Sequence, residues 1–346
     1  MAIITFLIAS AVVIFAGTKL AIYGDVLAKK TRLGHGLVGV VLIAGATSLP
    51  ELASSISAAL IQAPDIAFGN VYGSNAFNLM ILAIADLLQG KGSLLQIVRA
   101  NHILSAMIGI MMTGFSVLAI WMGPSGFLEI TVGWLSSYSI FLIMMYLFSA
   151  FLLIRYEGKA TTDHTLSFPE VHSTIDQSQL QGADDSRLIQ KTILRFSIAA
   201  LMIIAAGYAL SVSSASIAAD TGLGQTFIGT LLVAAATSLP ELVATIAAIR
   251  IGAYNMAVGN VFGSNVFNIL ILALSDMFYL QGSVFAVVST EHLLTAVTTM
   301  ILSSIAVIGL FYRSKRTILM VGWDCVAIMI GYLTMAYALF KLSIHP

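Results

Sequence analysis

Ten predominantly apolar stretches run along the chain, near 2–23, 36–62, 66–89, 102–122, 128–155, 193–217, 226–250, 255–279, 291–312 and 317–340, separated by short polar connections. A membrane-spanning helix needs about 20 such residues. They carry Gly, Pro, Asn and Ser, but no wet face such as a soluble amphipathic helix presents recurs along them, and they are longer and less alternating than barrel strands, so the pattern predicts spanning helices. The first stretch follows Met1 with no basic segment and has a counterpart in the sixth, so it reads as a mature helix and not a removed leader. One long polar stretch interrupts the pattern at 156–192. It carries Glu157, Asp163, Glu170, Asp176, Asp184 and Asp185 among Ser, Thr and Gln, without EF-hand spacing, and reads as a solvated linker.

Composition agrees. Of 346 residues, 59% are hydrophobic and 9% charged, and the mean hydropathy is +0.97; a soluble domain carries roughly a quarter charged residues. The formal net charge is +0, which leaves no basic excess for nucleic acid. The single cysteine, Cys325, excludes an intrachain disulfide and a cysteine-based metal cluster. Position is what makes the charges informative. Ten spans put both termini on one side, and the side of the first connection collects Lys29, Lys30, Arg32, Lys91, Arg99, Arg155, Lys159, Arg187, Lys191, Arg195, Arg250, Arg313, Lys315 and Arg316. Lys341 stands alone opposite, and Lys19 lies inside the first span, where it can snorkel. Cytoplasmic loops carry the Lys/Arg excess, so the linker is expected in the cytoplasm of a cell whose plasma (inner) membrane holds the protein, with both termini outside.

A shift of 190 aligns residues 31–100 with 221–290 without a gap, and about half of those ~70 positions are identical, as in an internal repeat. The strongest matches are Ala-Thr-Ser-Leu-Pro-Glu-Leu at 46–52 and 236–242, and Gly-Asn-Val-x-Gly-Ser-Asn-x-Phe-Asn at 69–78 and 259–268. Five spans per unit is an odd number, so the second unit enters the membrane upside down. The expected fold is therefore an all-α membrane protein of ten transmembrane helices in two inverted-topology five-helix repeats, 1–155 and 193–346, joined by the linker 156–192. Such an arrangement places a binding site near the midplane where the repeats meet.

Glu51 and Glu241 fall inside apolar spans, where an ionised carboxylate costs about 2.5–3.5 kcal/mol on insertion scales. No Lys, Arg or His lies at the same level to pair with either, which points to function over a structural salt bridge. Thr47, Glu51 and Ser55 recur at i, i+4, i+8, as do Thr237, Glu241 and Thr245, and each set stacks oxygen atoms on one helix face. Asn70, Ser74 and Asn78, with Asn260, Ser264 and Asn268, repeat the spacing. Four oxygen stripes without His or Cys suit hard cations such as Ca²⁺ and Na⁺, not Zn²⁺ or Cu⁺. Pro50 and Pro240 should kink each helix one residue before its Glu and free carbonyls around Ala46 and Ala236. Gly69/Gly73 and Gly259/Gly263 have the small-xxx-small form of close helix packing. Asp86 and Asp276 correspond under the shift and lie near span ends, where headgroups or water would satisfy them; His102 and His292 correspond at helix starts and support no ligand reading.

The paired Thr-Ser-Leu-Pro-Glu and Gly-Asn-Val-x-Gly-Ser-Asn-x-x-Asn segments resemble the two α-repeats of the Ca²⁺/cation antiporter superfamily, in particular its prokaryotic sodium/calcium exchangers. The resemblance implies a cation site of Thr47, Ser48, Glu51, Ser74 and Asn78 from one half and Thr237, Ser238, Glu241, Ser264 and Asn268 from the other, with the carbonyls of Ala44 and Ala234. It implies Ca²⁺ and Na⁺ as transported partners in a lipid bilayer, with no cofactor. Asn in place of the Asp that some microbial and K⁺-dependent members carry at position 268 leaves the site near −2, from Glu51 and Glu241. The motif of the proton/calcium branch is absent, although protons could compete at the two Glu; proton- or K⁺-coupled antiport is the alternative. Alternating access is expected, with the first and sixth spans moving across the site. A channel would need a filter of repeated carbonyls, and an enzyme a nucleophile or metal-binding His pair; the chain shows neither.

Overall fold

The computed structural model of the chain describes residues 1–30, 47–90, 92–126, 130–132, 134–163, 185–314, 316–318 and 321–344. Its helices are α1 (Ala2–Lys30), α2 (Leu49–Leu60), α3 (Pro64–Gln89), the short α4 (Leu94–Ile97), α5 (His102–Met122) and α6 (Ser137–Asp163). These are followed by α7 (Asp185–Thr221), α8 (Gln225–Thr237), α9 (Leu239–Arg250), α10 (Tyr254–Phe278), the short α11 (Val284–Val287), α12 (His292–Tyr312) and α13 (Trp323–Ile344). Among the described residues, seven helices are long and apolar enough to cross a membrane, and eight if the bent pair α8–α9 is one span. The fifth expected span falls in α6, whose apolar part is only Ser137–Leu153; the beginning of the second, with Ala44 and Ala46, lies outside the described residues. Helix intrudes at both ends of the expected linker, because α6 runs on to Asp163 and α7 begins at Asp185.

The interior holds buried polar side chains beside hydrophobic clusters, and the outside is apolar. In α3 and α10, 72% of the most apolar stretch is buried, against 28% in α1 and α7, so α3 and α10 form the middle. They pack on each other and on α5 and α12, while α2 and the α8–α9 pair lie against them. The helices α1 and α7 run along one another and touch α9 and α2 from outside, presenting Ile3, Leu7, Phe15, Leu201, Ile204 and Tyr208 outward, as lipid-facing surfaces require.

Glycines permit the closest approaches. A Cβ on Gly69 would stand 2.8 Å from the Thr230 nitrogen, and one on Gly73 would overlap the Thr230 carbonyl oxygen. The small-xxx-small pair of α3 therefore seats the π-helical turn Ile228–Val233 of α8 directly on its backbone. Gly17 of α1 and Gly207 of α7, 190 residues apart, act the same way: a Cβ would come within 2.6 Å of Pro240 Cγ at the first and 2.9 Å of Ala53 Cβ at the second.

Two features differ from expectation. Asp86 and Asp276 meet neither headgroups nor water: both are fully buried and accept backbone N–H groups. Asp86 takes those of Leu94 and of Gly322 (2.7 Å); Asp276 takes those of Val284 (2.8 Å) and Ser136 (3.0 Å) and the Ser139 hydroxyl (2.6 Å). Asp86 thus ties the start of the connector helix α4 to the hairpin of β3 (Thr317–Ile318) and β4 (Val321–Gly322), and Asp276 ties the start of α11 to the hairpin of β1 (Thr131–Val132) and β2 (Leu135–Ser136). Residues short of an orphan carboxylate's needs in sequence supply them in space, because connector and hairpin N–H groups have no partner within their own elements. His292 Nε2 lies 3.0 Å from Asp65 Oδ1, which also accepts the Ser289 N–H at 2.7 Å.

Gly73→Val should lower the melting temperature of the detergent-purified protein, because overpacking against backbone costs about 1–3 kcal/mol. Gly109→Ala, whose new Cβ would meet only Val266 Cγ2 at 3.7 Å, should leave it unchanged or higher; equal melting of both variants would contradict the packing.

Candidate functional site

Both glutamate helices start immediately after a backbone break. Ser48 has φ −91°, ψ 15° and Ser238 φ −89°, ψ 4°, and α2 and α9 begin at the next residue. Pro50 and Pro240 stand in the first turn, where a helix has N–H groups to spare and a missing one costs nothing. The axes of α8 and α9 meet at 44°. The expected kink is present in the second half, with its break at Ser238, while the stretch before Thr47 lies outside the described residues. Ser-x-x-Glu is also the spacing of a capping box, yet neither serine hydroxyl caps its own helix. Ser238 Oγ instead crosses to the other half and donates to Glu51 Oε1 at 2.9 Å.

Thr47, Ser48, Glu51, Ser74, Asn78, Thr237, Ser238, Glu241, Ser264 and Asn268 are all buried, with Glu51 and Glu241 each 1% exposed. The structure brings the two halves together. Thr237 and Ser74 hydroxyls stand beside the Glu51 carboxylate with Ser238, Ser74 Oγ and Thr237 Oγ1 are 3.4 Å apart, and the two carboxylates are close enough to repel. Among the described residues no Lys or Arg is paired with either Glu. Asn70 holds the first half in shape: its Nδ2 donates to the Glu51 carbonyl (3.2 Å) and Ser55 Oγ (2.9 Å), and its Oδ1 accepts the Thr237 hydroxyl (3.0 Å). The Ala234 carbonyl, expected to face an ion, accepts the Ser238 N–H (3.0 Å) and the Thr237 hydroxyl (3.3 Å), because the end of α8 closes on itself. Ala236 is the residue whose carbonyl the missing Pro240 N–H leaves without its helical donor.

Many of the remaining oxygens have no hydrogen-bond partner among the described residues: Ser48 Oγ, Glu51 Oε2, Asn78 Oδ1, both Glu241 oxygens, Thr245 Oγ1, Ser264 Oγ and Asn268 Oδ1. Each such buried group costs roughly 1–3 kcal/mol, and their convergence marks a set of acceptors suited to a bare cation. The two halves differ in detail. Ser238 bonds Glu51, while the matching Ser48 and Glu241 do not bond each other; Asn70 is saturated, while Asn260 Nδ2 has no partner.

Two further residues join the site that the stripe spacing passed over. Asn75 and Asn265 follow the stripe serines by one position, which places them on the neighbouring helix face. There they cross-link α3 to α10 and contact Asn78 and Asn268. Their signal in the sequence was identity between the two motif copies.

A polar, oxygen-lined interior between repeated helices, with lipid-facing helices outside, is the build of a multi-pass membrane ion antiporter. The chain belongs to the sodium/calcium exchanger protein family, whose model matches residues 1–156 and 191–341. It is 29% identical over 345 residues to sodium/calcium exchanger MaX1 of Methanosarcina acetivorans, covering 91% of this chain and 92% of that protein. It is 28% identical over 262 residues to inner membrane protein YrbG of Escherichia coli, covering 75% and 74%. Its fold is shared with the H⁺/Ca²⁺ exchanger CAX (TM-score 0.72, 14% identity, 99% of this chain and 86% of that one). The sodium-calcium exchanger NCX_Mj shares it too (TM-score 0.59, 18% identity, 97% and 98%).

Asn70→Ala should destabilise the protein by about 1–3 kcal/mol, since it removes the donor to the buried Ser55 oxygen and the Glu51 carbonyl. Thermal unfolding in detergent reads this directly; an unchanged midpoint would mean that the Asn70 bonds contribute nothing to stability.

Proposed function

We propose that the chain exchanges Na⁺ for Ca²⁺ across the plasma (inner) membrane by alternating access, as two inverted five-helix repeats, 1–155 and 193–346, joined by a cytoplasmic linker at 156–192. The observation that carries this reading is a pair of buried carboxylates, Glu51 and Glu241, with no basic partner among the described residues and a surround of oxygen-bearing side chains. A structural carboxylate would be neutralised by a salt bridge or saturated with N–H donors, as Asp86 and Asp276 are. The ion ligands are Glu51, Glu241, Ser48, Ser74, Asn78, Thr47, Thr237, Ser238, Ser264 and Asn268. Ala44 is a candidate by its carbonyl, and the Ala234 carbonyl joins only if its two present donors let go.

Hard oxygens favour Ca²⁺ and Na⁺ over softer metals. When both glutamates are ionised, their two negative charges balance one Ca²⁺, and Na⁺ ions competing for the same oxygens make the exchange. The printed name of MaX1, a sodium/calcium exchanger similar along nearly the whole chain, supports sodium as the coupling ion. The pair α1–α7 is suited to moving across the site. It contacts the site helices at Gly17 on Pro240 and Gly207 on Ala53, where small residues bring the backbones close, and through the Ser211 hydroxyl, which donates to the Ser54 carbonyl at 2.7 Å. The Lys/Arg distribution supports termini on the extracytoplasmic side.

In proteoliposomes loaded with Na⁺, external ⁴⁵Ca²⁺ should accumulate, and K⁺-loaded vesicles should take up none. Uptake driven by a pH gradient alone would replace sodium with proton coupling. Glu51→Gln or Glu241→Gln should reduce the rate at least about 100-fold, because each removes half the charge that offsets the ion's dehydration; exchange that persists in both variants would sink the site assignment.

A further inference from the structure

An asparagine that serves as an ion ligand must present its oxygen, and the reversed amide would aim two N–H bonds at the cation. Nothing in the sequence sets that choice for Asn78 or Asn268. From the hydrogen bonds between α3 and α10 we infer that Asn75 and Asn265 are positioning residues which fix the amide orientation of Asn78 and Asn268, so that both oxygens face the ion path. The inference rests on the exchanger reading above, in which Asn78 and Asn268 bind the ion.

The argument starts from two groups that can only accept. Asn75 Nδ2 lies 3.1 Å from the backbone carbonyl oxygen of Asn265, and Asn265 Nδ2 lies 3.2 Å from that of Asn75. A carbonyl oxygen cannot donate, so the nitrogen end of each side chain must face it, and each Oδ1 must point the other way. Those two oxygens are also obligate acceptors. Asn78 Nδ2 approaches Asn265 Oδ1 at 2.9 Å, and Asn268 Nδ2 approaches Asn75 Oδ1 at 3.0 Å. Turning either ligand amide over would set oxygen against oxygen with no proton between them. The orientation is therefore passed from backbone to side chain to side chain. What remains is Asn78 Oδ1 and Asn268 Oδ1, both buried and neither with a hydrogen-bond partner among the described residues.

The arrangement obeys the repeat: Asn75 and Asn265 are 190 apart, as are Asn78 and Asn268, and every bond in one direction has its mate in the other. It also crosses between halves, since each ligand amide is oriented by the opposite repeat. The four asparagines are 5% exposed or less, so water does not compete for these bonds. Partners that orient ligands typically change metal affinity by about 10–100-fold when removed.

The test is a double-mutant cycle on ⁴⁵Ca²⁺ uptake in Na⁺-loaded proteoliposomes, with half-saturating Ca²⁺ and maximal rate measured separately. Asn265→Leu removes the acceptor that orients Asn78 and should raise half-saturating Ca²⁺ at least about tenfold, with a smaller change in maximal rate. Asn78→Leu should raise it as much, and the double variant no further, because Asn265 acts through Asn78. Asn265→Asp keeps an acceptor oxygen for Asn78 and, protonated, a donor for the Asn75 carbonyl; it should restore half-saturation towards the parent value. A purely structural role would give additive losses in the double variant and a fall in maximal rate alone, and either result overturns the inference. If Asn78→Leu changes nothing while Glu51→Gln abolishes uptake, the exchanger stands and Asn78 is no ligand, which also overturns the inference. Asn75→Leu with Asn268→Leu forms an independent cycle should Asn265→Leu fail to assemble.

Discussion

Two carboxylates held inside a lipid-embedded molecule without a basic partner set the terms for the rest of the structure. Glu51 and Glu241 are 1% exposed and repel one another, and burial of such groups is costly unless polar atoms surround them. The fold meets this by gathering polar side chains around them within an otherwise hydrophobic interior. Hydroxyls and amides from α2, α3, α8, α9 and α10 converge at the centre, and Leu, Ile, Phe and Tyr face outward. Breaks at Ser48 and Ser238 bring helix ends to the carboxylates, and the glycines of α3 bring the backbone of α8 close enough for Ser74 and Thr237 to meet.

The repeat is faithfully kept in the frame and unevenly kept in the site. Asp86 and Asp276 bind connector and hairpin alike, and the Asn75–Asn265 contacts mirror each other bond for bond. Around the glutamates the mirror fails: Ser238 reaches Glu51, Ser48 reaches nothing described, and Gly207 sits on Ala53 where Gly17 sits on Pro240. If the halves are inverted repeats, as proposed, unequal central contacts imply a second arrangement in which the halves trade roles. Alternating access, as proposed, requires two such arrangements of comparable energy.

Much of the site could be read from spacing alone. The stripes at i, i+4, i+8 named Asn70, Ser74 and Thr237, which do meet around Glu51, because a helix turns such residues to one face whatever the neighbours are. Asn75 and Asn265 escaped that reading since their role lies in contacts between helices 190 residues apart, to which intrahelical periodicity is blind. Asp86 and Asp276 were misjudged for the same reason. Their partners, in α4, α11 and the two hairpins, include residues more than a hundred positions away.

The sequence by itself determined the membrane class, the internal repeat, the paired carboxylates and the proline-linked breaks, because hydropathy, identity at a fixed shift and the missing proline N–H are local properties of the chain. Tertiary structure alone decided which hydroxyl caps which carboxylate, which carbonyl is occupied and which end of each asparagine faces the centre. Those are matters of a few tenths of an ångström between atoms from opposite halves, and a hydrogen bond's direction exists only once both partners are in place.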